Sequence, residues 1–188
     1  MKKILIVMLA LTCAFAMFSC GDKSVSLDGF KKASNNTAPA VVNVSVEVES
    51  DLGALASNFK TTYAADGSFV IDYSYEQFNT STSGDGKSTF VGQVTCDKDG
   101  NYSDGGALTG TTAVATGAKF AFNSKKMENV TVSKDGNVLS ATVKAANTKA
   151  VLGIEIATDV TLVVTKAADK IVSYSMEFDK TTITCSYQ

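Results

Sequence analysis

Hydrophobic and polar residues alternate along most of the chain from Val41 onward. Val42, Val44, Val46 and Val48 fall on one side of the first run, and the residues between them are polar. Successive side chains of a strand point to opposite faces of a sheet, so this period of two predicts a strand with one buried face. Similar runs follow at 59–63, 69–76, 90–96, 120–122, 130–132, 139–143, 160–164, 172–178 and 183–187.

Turn signals separate these runs. Asp-Gly pairs begin at residues 66, 99 and 135, directly between alternating segments, and Asp-Gly accepts the positive φ angles of tight hairpin turns. The sequence therefore predicts one all-β domain with little helix over residues 40–188. We expect an antiparallel meander of about eight or nine strands in a curved half-barrel or barrel-like sheet.

The segment before the first strand has a helical period instead. Leu27, Phe30 and Ala33 are spaced to share one helix face, with Ser26 as a candidate N-cap. Pro39 excludes a helical conformation for the residue before it. Residues 20–39 are therefore predicted to form a tether and one short helix near 26–34, and residues 145–152 a short helix or a crossing loop.

Residues 1–19 have the features of an export signal. Lys2 and Lys3 precede an uncharged apolar run that is too short to span a bilayer, and the run ends at Cys20 with a small residue before it. This ending resembles the lipobox of bacterial lipoproteins, which implies acylation of Cys20 and cleavage before it. Cys13 is a second candidate, and an ordinary secretory signal is the alternative. The expected location is the cell envelope, anchored to a membrane and facing away from the cytoplasm, with the choice between inner and outer membrane open.

Composition narrows the chemistry. The sequence has no His and no Arg, since all 17 basic residues are Lys, and its net charge is −2. Without imidazole there is no Ser-His or Cys-His pair and no histidine metal site, and an acidic chain without Arg is unsuited to nucleic acid. We therefore expect no catalytic residues, no metal, no cofactor and no nucleic-acid partner.

Two short motifs are compatible with chemistry but are better explained by chance or by turn structure. Ser57 and Lys60 match the Ser-x-x-Lys pattern of penicillin-recognising enzymes, whose companion motifs are absent. The acidic cluster at 97–101, with Asp104 nearby, lacks the Gly and Glu positions of an EF-hand loop, so a hairpin turn is the favoured interpretation.

Two cysteines remain in the predicted mature domain. Cys96 and Cys185 both fall on the apolar side of their strands. Export allows a disulfide between them, which would close a long loop. The alternative is that both are small buried hydrophobic residues.

The final strands carry a family resemblance. Two predicted strands, at residues 158–166 and 171–178, are joined by a turn near the end of a chain that begins with the signal, the tether and the short helix. This order of elements is similar to that of envelope lipoproteins of the LolA and LppX type. The resemblance implies a strongly curved sheet that wraps a helix and shelters acyl chains.

Two functions follow from these patterns. The first is a non-enzymatic envelope lipoprotein that binds an apolar or amphiphilic, lipid-like ligand on the aromatic face of its sheet. The second is a structural or protein-interaction module with a filled core, whose polar loops at 79–87 and 101–118 meet a partner that the sequence leaves unknown. In the first case the candidate ligand-facing residues are Phe69, Ile71, Tyr73, Tyr75, Phe90, Tyr174, Met176 and Phe178.

Overall fold

A computed structural model describes residues 26–79, 86–103 and 119–188. The described part contains two short α-helices, α1 (Asp28–Asn36) and α2 (Thr148–Leu152), the second preceded by a 3₁₀ turn at Ala145–Asn147. The strands are β1 (Val41–Ser50), β2 (Gly53–Tyr63), β3 (Phe69–Phe78), β4 (Lys87–Cys96), β5 (Glu128–Val132), β6 (Val138–Val143), β7 (Val160–Ala167), β8 (Lys170–Phe178) and β9 (Thr181–Tyr187).

The nine strands form one open antiparallel sheet. Its order is β4-β3-β2-β1-β9-β8-β7-β6-β5, so β4 and β5 are the two edges. Strands β1 to β4 form one meander and β5 to β9 another, and the pairing of β1 with β9 joins them, with Val44 opposite Cys185. The predicted class, all-β with minor helix, is confirmed.

The sheet has one apolar face and one polar face. We call the face that carries Val42 and Val44 the inner face, and the face that carries Asn43 and Ser45 the outer face. Apolar side chains of β6 to β9 and β1 are buried on the inner face, and removing this apolar area from water is the main stabilising contribution. The sequence alternation correctly identified these strands because one face of each is buried.

Helix α1 packs against β8 on the inner face. Phe30 and Ala33 are buried, and the ring of Phe30 lies 5.9 Å from that of Phe122. After the helix, the Thr37 hydroxyl donates to the Ala33 carbonyl at 2.7 Å and accepts the Ile171 amide at 2.8 Å. Side chain and backbone therefore both fix the helix to the sheet.

Two local expectations differ from the structure. Residues 120–122 are not a strand: Phe120 and Phe122 are buried, and the Phe120 ring meets Tyr174 edge-on at 4.9 Å. This short alternation reflects packing of an irregular segment onto the inner face. In addition, Leu27 rather than Ser26 occupies the N-cap position of α1, and the Ser26 hydroxyl accepts a long 3.4 Å bond from the Asp28 amide.

Candidate functional site

The structure separates the eight predicted ligand-facing residues into buried and exposed groups. Ile71, Tyr174 and Met176 are only 1–2% exposed. A side chain that bordered a void large enough for water would retain more surface than this, so these three lie in packed core. Phe69, Tyr73 and Phe178 are half-buried, whereas Tyr75 and Phe90 remain 41% and 43% exposed.

Tyr73, Tyr75 and Phe90 form a stacked group that we call the aromatic strip. Tyr75 and Phe90 are direct partners across β3 and β4, with ring centroids 5.1 Å apart and planes 19° apart. Tyr73 lies two residues along the same face of β3, and its ring is 6.4 Å from Tyr75 at 18°. Near-parallel offset rings at these distances attract one another beyond their buried area.

Gly92 makes room for the strip, a role that the sequence analysis missed. It is the β4 partner of Tyr73, and a Cβ atom built on it would come within 2.4 Å of the Tyr73 hydroxyl oxygen. The tyrosine ring therefore lies over the glycine backbone. An isolated Gly within an alternating strand is the available sequence signal for such a close approach.

Other apolar side chains extend this exposed area on the inner face. Val48 is 40% exposed, and Val46 and Leu55 are half-buried at the same end of β1 and β2. Ser57 and Gln77 lie on the same face among them. The surface therefore combines exposed apolar groups with a few polar side chains.

The outer face carries an open groove of about 790 Å³ across β9, β1, β2, β3 and β4. Of the predicted ligand-facing residues only Tyr73 borders it. The Gln93 amide donates to Asp72 at 2.7 Å. Hydroxyl and amide groups dominate the outer-face side chains that line it: Asn43, Ser45, Asn58, Lys60, Asp72, Ser74, Val91, Gln93, Thr184 and Ser186.

The disulfide that the sequence allowed between Cys96 and Cys185 is not formed. Both thiols are free and buried. Cys96 ends β4 and Cys185 lies in β9, with β3, β2 and β1 between them. That separation is four strand spacings of about 4.8 Å along the sheet, whereas bridged cysteines need Cα atoms within about 7 Å. The alternative interpretation, two small buried hydrophobic residues, is therefore the correct one.

Cys185 lies beside two tyrosines in the core. Burial raises the pKa of the Cys185 thiol to about 11, with hydrogen bonds from Tyr174 and Tyr187 opposing the rise. Burial also raises the pKa of Tyr187. A thiol that stays protonated at neutral pH is a poor nucleophile. Because Cys185 and Tyr174 are also fully buried, we assign Cys185 and its two tyrosine neighbours to the packed interior.

The two short motifs are also explained by the fold. Ser57 lies on the inner face of β2 and Lys60 on the outer face, so the two side chains point away from each other. Asp97 caps a turn by accepting the amides of Asp99 and Asn101 at 2.9 Å each. The Asn101 side chain donates a further bond, and together these bonds hold the pKa of Asp97 below its usual value.

Some predictions concern residues that the structure does not describe. Cys13, Cys20 and the predicted signal lie there, as do residues 80–85 and 104–118 of the two polar loops. Within 26–79, 86–103 and 119–188, no helix combines the length and apolar character needed to span a bilayer. The same ranges contain no cluster of three or more His, Cys, Asp or Glu side chains that could hold a metal ion.

The fold and the exposed strip together define an all-β protein with few helices and an aromatic surface at one end of its sheet. No family model and no curated protein matches the sequence. Among solved structures, the chain is similar to LprF from Mycobacterium bovis, with 14% identity and a TM-score of 0.42, over 88% of this chain and 94% of that chain. At this identity and TM-score, the similarity supports no inference about what this chain binds.

Proposed function

We propose that this protein is a lipid-anchored, non-enzymatic protein of the bacterial cell envelope that binds an apolar or amphiphilic ligand along the aromatic strip. The observation that carries the proposal is the exposure of Tyr75 and Phe90 on a face whose apolar side chains are mostly buried. Clustered apolar groups left in contact with water typically mark an interaction site. The lipobox-like segment ending at Cys20 supports the location.

Packing of the core restricts where the ligand lies. Tyr174 and Met176 are enclosed by neighbouring side chains, so the half of the inner face under α1 does not contribute to binding. The ligand instead lies on the exposed end of β1 to β4, with its apolar part on the rings of the strip. Ser57 and Gln77 share this face and would contact its polar part.

Replacing the exposed rings should weaken binding. In a titration with a fluorescent fatty acid, we expect the double variant Tyr75→Ser, Phe90→Ser to bind about tenfold more weakly than the parent. Losing part of the burial of two aromatic side chains costs about 1.4 kcal/mol or more. Val91→Ser is the matched control because Val91 is 79% exposed on the outer face of β4, opposite the face that carries the strip. Equal affinities for the double variant and the control would exclude the strip as the binding surface.

Removing the anchor should release the protein from the membrane. Cys20 is the residue that would carry the acyl chains, and stable anchoring needs two or more such chains. We therefore expect Cys20→Ser to move the protein from the membrane fraction to the soluble fraction. Cys13→Ser is the matched control and should remain membrane-bound. An intact mature N-terminus without acyl mass at Cys20 would contradict the anchor while leaving the ligand-binding prediction testable.

The second candidate function, a protein-interaction module, is favoured by the packed core around Tyr174 and Met176. It differs from the first in requiring no small apolar ligand. The same titration separates the two, since a module of this kind would leave the fatty acid unbound in parent and variants alike.

A further inference from the structure

The two edges of the sheet are built differently. Strand β5 has five residues, its register with β6 shifts between Glu128 and Thr131, and Asn129 takes a positive φ of 51°. Short length, irregularity and charge are features that prevent edge-to-edge pairing. Strand β4 has ten residues in unbroken register with β3 and no charged residue between Lys87 and Cys96.

Several backbone groups of β4 lack a strand partner along this edge among residues 26–79, 86–103 and 119–188. The amide and carbonyl of Thr95 face away from β3, because they bond the Ser103 hydroxyl at 3.0 Å and the Ser103 amide at 2.9 Å. Strand geometry alternates, so the amides and carbonyls of Gln93, Val91, Thr89 and Lys87 face the same way. No strand of the described residues lies beside them.

Each face of the sheet has one exposed apolar side chain beside the open edge. Val91 is 79% exposed on the outer face, and Phe90 is 43% exposed on the inner face. A long, regular, uncharged edge with exposed apolar side chains is a template for another strand.

We propose that two copies of this protein associate through β4, antiparallel about a two-fold axis at Phe90, to form one continuous sheet. With Phe90 opposite Phe90 of the second copy, Thr89 faces Val91 and Lys87 faces Gln93. The backbone groups that face away from β3 between Lys87 and Gln93 then all bond the second copy. A shift of the axis to Val91 would place Lys87 against Thr95, whose backbone groups already bond Ser103.

The paired side chains are compatible with this symmetry. The non-hydrogen-bonded Phe90 pair would have Cα atoms about 4.5 Å apart, which extends the stack of Tyr75 and Phe90 into the second copy. Aromatic and β-branched pairs of this kind stabilise antiparallel strands. No two like charges face each other, since Lys87 meets Gln93 and within its own chain already pairs with Glu76 at 3.2 Å. Closed two-fold association of identical patches is the commonest form of homodimer.

Cysteine cross-linking in membranes of cells that express the full chain tests this register. We expect Phe90→Cys to form disulfide-linked dimers under mild oxidation, since the Cα distance falls within the range for a disulfide. Leu52→Cys, at a position more exposed than Phe90 but outside the edge, should form several-fold fewer. Because Phe90→Cys removes a ring, differently tagged Thr89→Cys and Val91→Cys chains should be co-expressed; they should link to each other several-fold more than either links to itself.

The results that overturn the proposal are equally specific. Two results together would show that copies do not meet at this edge. Phe90→Cys would cross-link no more than Leu52→Cys, and the Thr89→Cys and Val91→Cys chains would show no preference for each other. Cross-linked products only at masses other than that of two chains would show that a different protein occupies β4. Val91→Lys, which places two charges near the axis, should reduce the cross-linking of Phe90→Cys several-fold; unchanged cross-linking would also contradict the pairing.

Discussion

Leu162→Ala should lower the free energy of unfolding by about 2–5 kcal/mol, because it removes a large buried side chain and leaves a cavity. Leu162 is fully buried at the centre of β7, between Ala141 on β6 and Met176 on β8. Its neighbours belong to a regular sheet and cannot collapse into the space without breaking backbone hydrogen bonds. Urea unfolding of the purified protein measures the change.

Thr161→Ala is the matched control for this experiment. Thr161 precedes Leu162 in β7 but is exposed on the outer face, so its replacement should cost less than about 1 kcal/mol. Similar losses for the two variants would mean that the interior near β7 is not packed as the structure indicates.

Thr148→Val should destabilise the fold by about 1–3 kcal/mol although the two side chains have nearly the same shape. Thr148 is completely buried at the start of α2. Its hydroxyl accepts the Ile156 amide at 3.0 Å, and its single proton is shared between the carbonyls of Ala145 at 3.0 Å and Ile156 at 3.2 Å. Valine would leave the Ile156 amide without this acceptor and the Ile156 carbonyl without this donor, which costs more than the methyl group regains.

Thr148→Ser tests whether the hydroxyl is the cause. Serine retains the oxygen and loses only the methyl group, so its unfolding midpoint in urea should lie between those of the parent and Thr148→Val. A serine variant as unstable as the valine variant would assign the effect to packing of the methyl group instead.

Strand content was predictable because each strand has one buried face. The alternation in Val42 to Val48 and in Val160 to Val164 reflects the burial of every second side chain, a local property visible in any single segment. The pairing of β1 with β9 is not local: nothing in 41–48 distinguishes a partner at 181–187 from one at 53–63. The alternation at 120–122 was misleading because an irregular segment can also bury every second residue.

The candidate site was predictable only in part. Alternation correctly places Tyr75 and Tyr174 on the apolar sides of their strands, but it does not show that other parts of the chain cover Tyr174 and leave Tyr75 exposed. That difference depends on α1 and on residues 119–127, which reach the inner face by tertiary packing. The groove on the outer face was missed for the same reason, because concavity is a property of five strands together and not of one.

The central position of the β1–β9 pair has a consequence for how the protein folds. Val42 pairs with Tyr187, and Ala40 bonds the carbonyl of Gln188 at 2.9 Å, so the middle of the sheet joins residues that are far apart in sequence. Closing so long a loop is entropically costly, and folds with many distant contacts form slowly. Each meander can form hairpins early, but neither can gain its central neighbour until residues 181–187 are present. A chain still emerging from the ribosome therefore lacks the pairing that unites its two halves.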